Sequence, residues 1–139
     1  MKRINIISGQ LSLQQARSIN AGLVRLELDP SCIEQIQKSV ETVRDVIAQG
    51  RVIYGINTGF GLLASTVIPN DELEELQHSI VLSHSAGVGR FMDESTVRLM
   101  MALKINSLAR GYSGIRKEVI DILITLINAE VYQIGRAHV

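Results

Sequence analysis

The sequence predicts a mainly α-helical fold, and three observations support this prediction. Apolar residues recur at helical spacing in segments that begin at capping residues and end at glycine. The segment ESTVRLMMALKINSLAR (94–110) is apolar on nearly every side, which predicts a central, buried helix. Extended structure is expected only in short pieces near the N-terminus, at residues 4–7 and in VRLELD (24–29), where apolar and charged residues alternate.

The first half of the chain is expected to hold two helices. The first begins at Ser12, which forms a capping box with Gln15, and it ends at Gly22. A second capping box, Ser31 with Glu34, is expected to start the next helix. One face of that helix, which ends at Gly50, carries Ile33, Ile36, Val40, Val43 and Ile47.

Three further helices are expected after an irregular loop at about 52–69. Asn70 caps a third helix that runs to about Ala86, and Asp93 opens a fourth. Ser113 caps a fifth, which carries Ile115, Val119, Ile122 and Leu126 on one face. Two nearly continuous apolar helices in a short chain indicate packing into something larger, either more chain or other subunits.

Composition excludes several classes of function. The 139 residues suffice for one domain, and 14 basic residues balance 14 acidic ones, so nucleic acid and anionic membranes are not expected partners. One cysteine, Cys32, cannot form an internal disulfide, which favours a cytoplasmic location. The N-terminus lacks the apolar run of a signal peptide, and ILITLI (122–127) is far too short to span a membrane.

The stretch VIYGINTGFGLLAST (52–66) is the most unusual segment. Its glycines do not have the spacing of a Walker loop or of a dinucleotide fingerprint, and no lysine is near. Two interpretations stay open: the glycines only permit tight turns, or the loop exists to aim Tyr54. The length of the irregular stretch favours a functional loop.

The remaining candidates are weaker. His78 and His84 are six residues apart, on different faces of a helix, and no carboxylate completes a ligand set, so no metal site is expected. His84 ends its helix beside a glycine-flanked break, where its side chain can face a cavity. Cys32 is interpreted as a small hydrophobic residue rather than a nucleophile.

Three blocks of sequence resemble a known family. YGINTGFGLLAST, LQHSIVLSHSAGVG and VRLMMALKINSLARGYSGIRKEVIDILITLINAEVY resemble the N-terminal part of the histidine ammonia-lyases, within the aromatic amino acid ammonia-lyases. The resemblance covers residues 3–132. It implies the N-terminal portion of the helical ammonia-lyase fold and the elimination of ammonia from L-histidine to give trans-urocanate. It also implies a homotetramer and an electrophile, methylidene-imidazolone (MIO), made from an Ala-Ser-Gly triplet.

The resemblance also implies roles for individual residues. Tyr54 would act in proton transfer, and Gly55, Asn57, Gly59 and Gly61 would shape its loop. His84, with Ser83, would contact the substrate side chain. That polar pair suits an imidazole, because a site built around a hydrogen bond rejects analogues that lack it.

Two departures from the family qualify this interpretation. The chain has no Ala-Ser-Gly triplet, so we expect residues 1–133 to be an incomplete domain that is inactive alone. The tail Ile134–Val139 matches one reading frame of a common sequencing adapter and is expected to be non-native. Two alternatives stay open: a related aromatic amino acid lyase or aminomutase, and a stand-alone, non-catalytic helical binding module.

Overall fold

The computed structural model describes residues 2–22, 24–85, 87 and 89–132, and its architecture is mainly helical, as predicted. Two strands and five α-helices are present in these residues. In chain order they are β1 (Lys2–Ile6), α1 (Leu13–Asn20), β2 (Val24–Leu28), α2 (Ile33–Ala48), α3 (Leu73–His84), α4 (Glu94–Leu108) and α5 (Lys117–Asn128). In this part of the chain no helix is both long and apolar enough to cross a membrane.

The chain divides into two compact units. The first comprises Met1–Val40 with Gly89–Val139, and the second comprises Glu41–Val88. The predicted boundary between residues 1–133 and a non-native tail cannot be compared with the structure, since Ile134–Val139 lies outside the described residues.

A two-stranded parallel sheet connects the start of the chain to the core of the first unit. β1 pairs with β2 in a register that places Ile4 opposite Leu26, and both side chains are buried. On the other edge of β2, the Asn128 side chain accepts a hydrogen bond from the Leu26 N–H and donates one to the Leu26 carbonyl, both at 2.8 Å. This pairing satisfies a buried strand edge, which otherwise leaves unpaired backbone groups.

The core of the first unit is formed by the sheet and helices α1, α2, α4 and α5. Helix α4 contributes Val97, Met101, Ala102, Ile105 and Leu108. The prediction that α4 is buried on nearly every side was too broad. The side chains of Met100 and Leu103 remain about half exposed, at 49% and 46%, because the described residues cover only one side of the helix.

The apolar face predicted for α5 meets the core only in part. Ile115 and Leu126 are partly buried against the core, whereas Ile122 is 58% exposed. The fully buried residues of the helix are Ile120, Ile124 and Ile127. Apolar residues occupy several faces of this helix, so the spacing of isoleucines and leucines alone could not select the one that meets the core.

The capping predictions were confirmed for α1 and for α4, whose N-cap is Asp93, and were wrong for α2, α3 and α5. The N-cap of α5 is Arg116 rather than Ser113. Ser12 and Gln15 form the reciprocal capping box at α1. At the next helix the cap is Asp29, which accepts a hydrogen bond from the Ser31 N–H and begins a 3₁₀ turn, Pro30–Cys32. Hydrogen bonds from the Ser31 hydroxyl and N–H hold the pKa of the Asp29 carboxyl below its ordinary value.

Helix α3 begins later than predicted. A 3₁₀ turn, Asn70–Glu72, follows Pro69, and the α-helix starts at Leu73 without a side-chain cap. It ends at His84, two residues before the predicted end at Ala86, which lies outside the described residues. His84 therefore occupies the last position of the helix.

Candidate functional site

Tyr54 stands at the corner of a tight turn. The Ile53 carbonyl accepts a hydrogen bond from the Ile56 N–H at 3.1 Å, and Gly55 between them has a φ of +79°. A positive φ at the third position is the mark of a type II turn, and it favours glycine there. Tyr54 occupies the second position, so its side chain projects outward and is 62% exposed.

The Tyr54 ring contacts only one other aromatic ring in the described part of the chain. Phe60 packs against it edge to face, with ring centroids 5.7 Å apart. The phenol hydroxyl makes no hydrogen bond to any described residue. It is therefore available to a group that approaches from outside this loop.

The two other loop glycines have different reasons for being glycine. Gly61 begins a 3₁₀ turn, Gly61–Leu63, with a φ of +58°. Gly59 is buried and does not need a positive φ; its N–H donates to the Thr66 carbonyl at 3.0 Å. This bond flanks an antiparallel bridge between Thr58 and Val67 that closes the loop.

Asn57 and Thr58 lie inside this loop and are buried. The family resemblance implied a loop-shaping role for Asn57 and none for Thr58, which is 1% exposed. A threonine between asparagine and glycine fits an exposed turn equally well, so the sequence carried no clear signal of its burial.

Ser83 and His84 form a hydrogen-bonded group at the end of α3. The Ser83 hydroxyl donates to the Ile80 carbonyl at 3.1 Å, and His84 Nδ1 lies 3.0 Å from both that carbonyl oxygen and Ser83 Oγ. A carbonyl oxygen can only accept, so these partners assign the ring proton of neutral His84 to Nδ1. Nε2 is then left as a hydrogen-bond acceptor on an exposed side chain.

Tyr54, Ser83 and His84 all lie in the unit Glu41–Val88. No hydrogen bond between described residues joins Tyr54 to the Ser83–His84 pair. The arrangement offers two separate chemical groups: a phenol that can exchange a proton, and an imidazole nitrogen that can accept an N–H.

The other candidates from the sequence have ordinary surroundings. Cys32 is buried, and its thiol donates to the Ile6 carbonyl at 3.7 Å. His78 is exposed on α3. Across the described residues, no group of three or more His, Cys, Asp or Glu side chains could hold a metal ion.

Comparison with known proteins gives a consistent result. The family described as aromatic amino acid lyase matches residues 11–134. The histidine ammonia-lyase of Desulfotalea psychrophila is 63% identical over 130 residues, which cover 94% of this chain and 25% of that protein. The chain therefore spans about a quarter of the length of the curated relatives it matches.

Solved structures with similar folds include lyases and aminomutases. The histidine ammonia-lyase of Trypanosoma cruzi aligns with a TM-score of 0.78 and 32% identity, over 91% of this chain and 25% of that one. The tyrosine aminomutase of Streptomyces globisporus aligns with a TM-score of 0.85 and 28% identity, over 91% of this chain and 24% of that one. The helical ammonia-lyase and aminomutase fold is thus the fold of this chain.

Proposed function

Because the chain belongs to the aromatic amino acid lyase family, we propose that it is the N-terminal segment of an enzyme that eliminates ammonia from L-histidine. The product is trans-urocanate. The enzyme is a homotetramer of the cytoplasm. The observation that carries the proposal is the exposed Tyr54 phenol, which a turn presents without a hydrogen-bond partner among the described residues.

The reaction removes ammonia across the Cα–Cβ bond. A base takes a proton from Cβ, and the electron pair of that C–H bond forms the double bond between Cα and Cβ. The C–N bond of the ammonium group breaks with its electron pair on nitrogen, which leaves as ammonia. We propose that Tyr54 takes part in the proton transfer, since a positioned phenol is one of the side chains that serve as general acid or base.

His84 is proposed to select the substrate. Its Nε2 accepts a hydrogen bond from an N–H of the substrate imidazole, while Ser83 and the Ile80 carbonyl hold the ring through Nδ1. A phenylalanine side chain has no donor for this nitrogen, whereas the hydroxyl of a tyrosine substrate can donate to it. A related aromatic amino acid lyase or aminomutase therefore remains the second candidate function, favoured by the fold likeness to the tyrosine aminomutase.

The electrophile of the family would activate the amino group of the substrate so that it becomes a better leaving group. It forms from Ala-Ser-Gly, and none of the 139 residues provides that triplet. These residues therefore cannot form the electrophile. We assign them only substrate orientation and proton transfer. We expect the 139 residues alone to form no urocanate.

A chimaera tests the proposal. Residues of this chain up to Tyr132 replace the matching 130 residues of the Desulfotalea psychrophila relative, and urocanate formation is followed. We expect an active tetramer. Tyr54→Phe should lower kcat by about 10²- to 10⁴-fold, the usual contribution of general acid–base catalysis.

Tyr112→Phe is the matched control, because Tyr112 is 81% exposed and lies in the other unit, where we assign it no catalytic role. Its kcat should equal that of the unmodified chimaera. A folded tetrameric chimaera without lyase activity contradicts the proposed function. Equal loss of kcat in the two tyrosine variants contradicts the role of Tyr54.

A further inference from the structure

Two polar side chains are buried in the loop that carries Tyr54. Asn57 is 3% exposed and Thr58 is 1% exposed, and they are the buried polar residues of the described part of the chain. Burying a polar group costs free energy unless it is hydrogen-bonded. The hydrogen bonds that these two side chains make therefore offset the cost of burying them.

Asn57 fixes the backbone on the N-terminal side of Tyr54. Its Oδ1 accepts a hydrogen bond from the Ile53 N–H at 2.9 Å, and its Nδ2 donates to the Arg51 carbonyl at 2.7 Å. The amide thus engages the residue directly before Tyr54 and a second residue two positions earlier. Both distances are those of well-formed hydrogen bonds.

Thr58 fixes the backbone on the C-terminal side. Its hydroxyl oxygen accepts a hydrogen bond from the Gly55 N–H at 3.3 Å, and the hydroxyl donates to the Gly59 carbonyl at 3.0 Å. The N–H groups of the residues before and after Tyr54 are therefore both held by buried side chains. The Tyr54 phenol itself is left free of hydrogen bonds to described residues.

The same two residues connect the turn to the base of the loop. Thr58 pairs with Val67 in the antiparallel bridge, and the Asn57 carbonyl accepts the Ile68 N–H at 3.0 Å. Side-chain hydrogen bonds to the turn and the backbone pairing with the end of the loop therefore come from the same two residues. Truncation of either side chain removes hydrogen bonds to the turn, whereas the hydrogen bonds that flank the bridge are made by backbone atoms.

We propose that Asn57 and Thr58 are positioning residues for Tyr54, and this inference rests on the proposed function. They act on the reaction through the orientation of the phenol, without touching the substrate. A misplacement of about 1 Å at a reacting group can cost about 100-fold in rate. Loss of these hydrogen bonds should therefore lower kcat and leave KM nearly unchanged.

A double-mutant cycle in the chimaera separates positioning from general destabilisation. Asn57→Ala should lower kcat by about 100-fold and Thr58→Val by about 10-fold, the smaller effect matching its longer hydrogen bond. In the Tyr54→Phe background, each substitution should change kcat by less than about twofold, because its effect passes through the missing hydroxyl. A merely structural role would lower kcat by the same factor in both backgrounds.

Thr66→Val is the matched control for Thr58→Val. Thr66 lies in the same loop, is exposed, and its hydroxyl makes no hydrogen bond to a described residue. It should keep the parent kcat, and Thr58→Ser should recover most of the activity lost in Thr58→Val. If Asn57→Ala does not fold, the Thr58 and Thr66 variants decide the matter alone.

These kcat measurements distinguish failure of the positioning inference from failure of the proposed function. Parental kcat in Tyr54→Phe overturns the role of Tyr54 and the inference with it. A large loss in Tyr54→Phe combined with additive losses at Asn57 and Thr58 overturns the inference only. Equal kcat in Thr58→Val and Thr66→Val also overturns it.

Discussion

We propose that a single residue, His84, selects the substrate. Its Nδ1 faces the Ile80 carbonyl and the Ser83 hydroxyl, so the tautomer is set within one turn of helix. An Nε2 acceptor on this exposed side chain gives the site a preference for ligands with an N–H or O–H donor. A site of this kind discriminates strongly, because an analogue without the donor leaves the acceptor unpaired.

His84→Leu in the chimaera should lower kcat/KM for L-histidine by about 5- to 100-fold, because leaving the substrate N–H without its acceptor costs about 1–3 kcal/mol. The same substitution should raise the ratio of phenylalanine to histidine turnover. Both are measured by product analysis with the two amino acids supplied separately. His78→Leu is the matched control, since His78 is exposed on the same helix.

If His78→Leu and His84→Leu change the substrate ratio equally, His84 is not the selecting residue. If neither changes it, the histidine preference comes from residues outside this chain. Either result would leave the role of Tyr54 untouched, since that role is tested by kcat in a separate variant.

The residues of the candidate site could be predicted only in part. Tyr54 was distinguished by its setting among glycines, and the requirement for glycine at position 55 is local to one turn. The burial of Thr58 depends on a bridge to Val67, nine residues away, and no local pattern reports that pairing. The roles of Tyr54, Ser83 and His84 came from family resemblance and remain proposals.

At the scale of elements, helices were predicted well and their faces less well. Helix existence follows from periodicity and from caps such as Ser12, which act over three or four residues. The buried face of α5 is chosen by its neighbours, α4 and β2, and therefore could not be read from a helix that is apolar on several sides. The contact between the end of α4 and helix α2 can be tested by substitution.

Gly111 follows the end of α4 and lies directly against the backbone of α2. Its φ is +68°, and a Cβ placed there would lie 2.6 Å from the carbonyl carbon and oxygen of Gln35. Gly111→Ala should therefore destabilise the protein by about 2–4 kcal/mol, from left-handed backbone strain together with overpacking. Thermal unfolding of the chimaera measures the change.

Gly9→Ala separates the two causes. Gly9 has a φ of +70°, but no atom lies within 4 Å of the position that a Cβ would take, so only the backbone strain of about 1–2 kcal/mol applies. The thermal unfolding midpoint should be highest for the parent, lower for Gly9→Ala and lowest for Gly111→Ala. Equal midpoints for the two variants would show that α2 yields to the added methyl group.

At the scale of the whole molecule, the described chain leaves much apolar surface uncovered. Helix α3 has no buried residue, and Val81 and Leu82 on it are 63% and 65% exposed. In the other unit, Leu103 and Ile122 are about half exposed. Exposed apolar surface on this scale marks contact with further protein. In the proposed homotetramer, this surface would contact other protein.

Leu103→Glu and Ile122→Glu in the chimaera should therefore prevent formation of a soluble tetramer, because each would bury an unpaired carboxylate. Lys104→Glu, an exposed neighbour of Leu103 on α4, introduces the same side chain and should assemble normally. Sedimentation velocity of the soluble fraction measures assembly. If all three variants form tetramers, these apolar side chains stay in contact with water in the complete enzyme. If all three fail, added negative charge rather than burial of the apolar face is the cause.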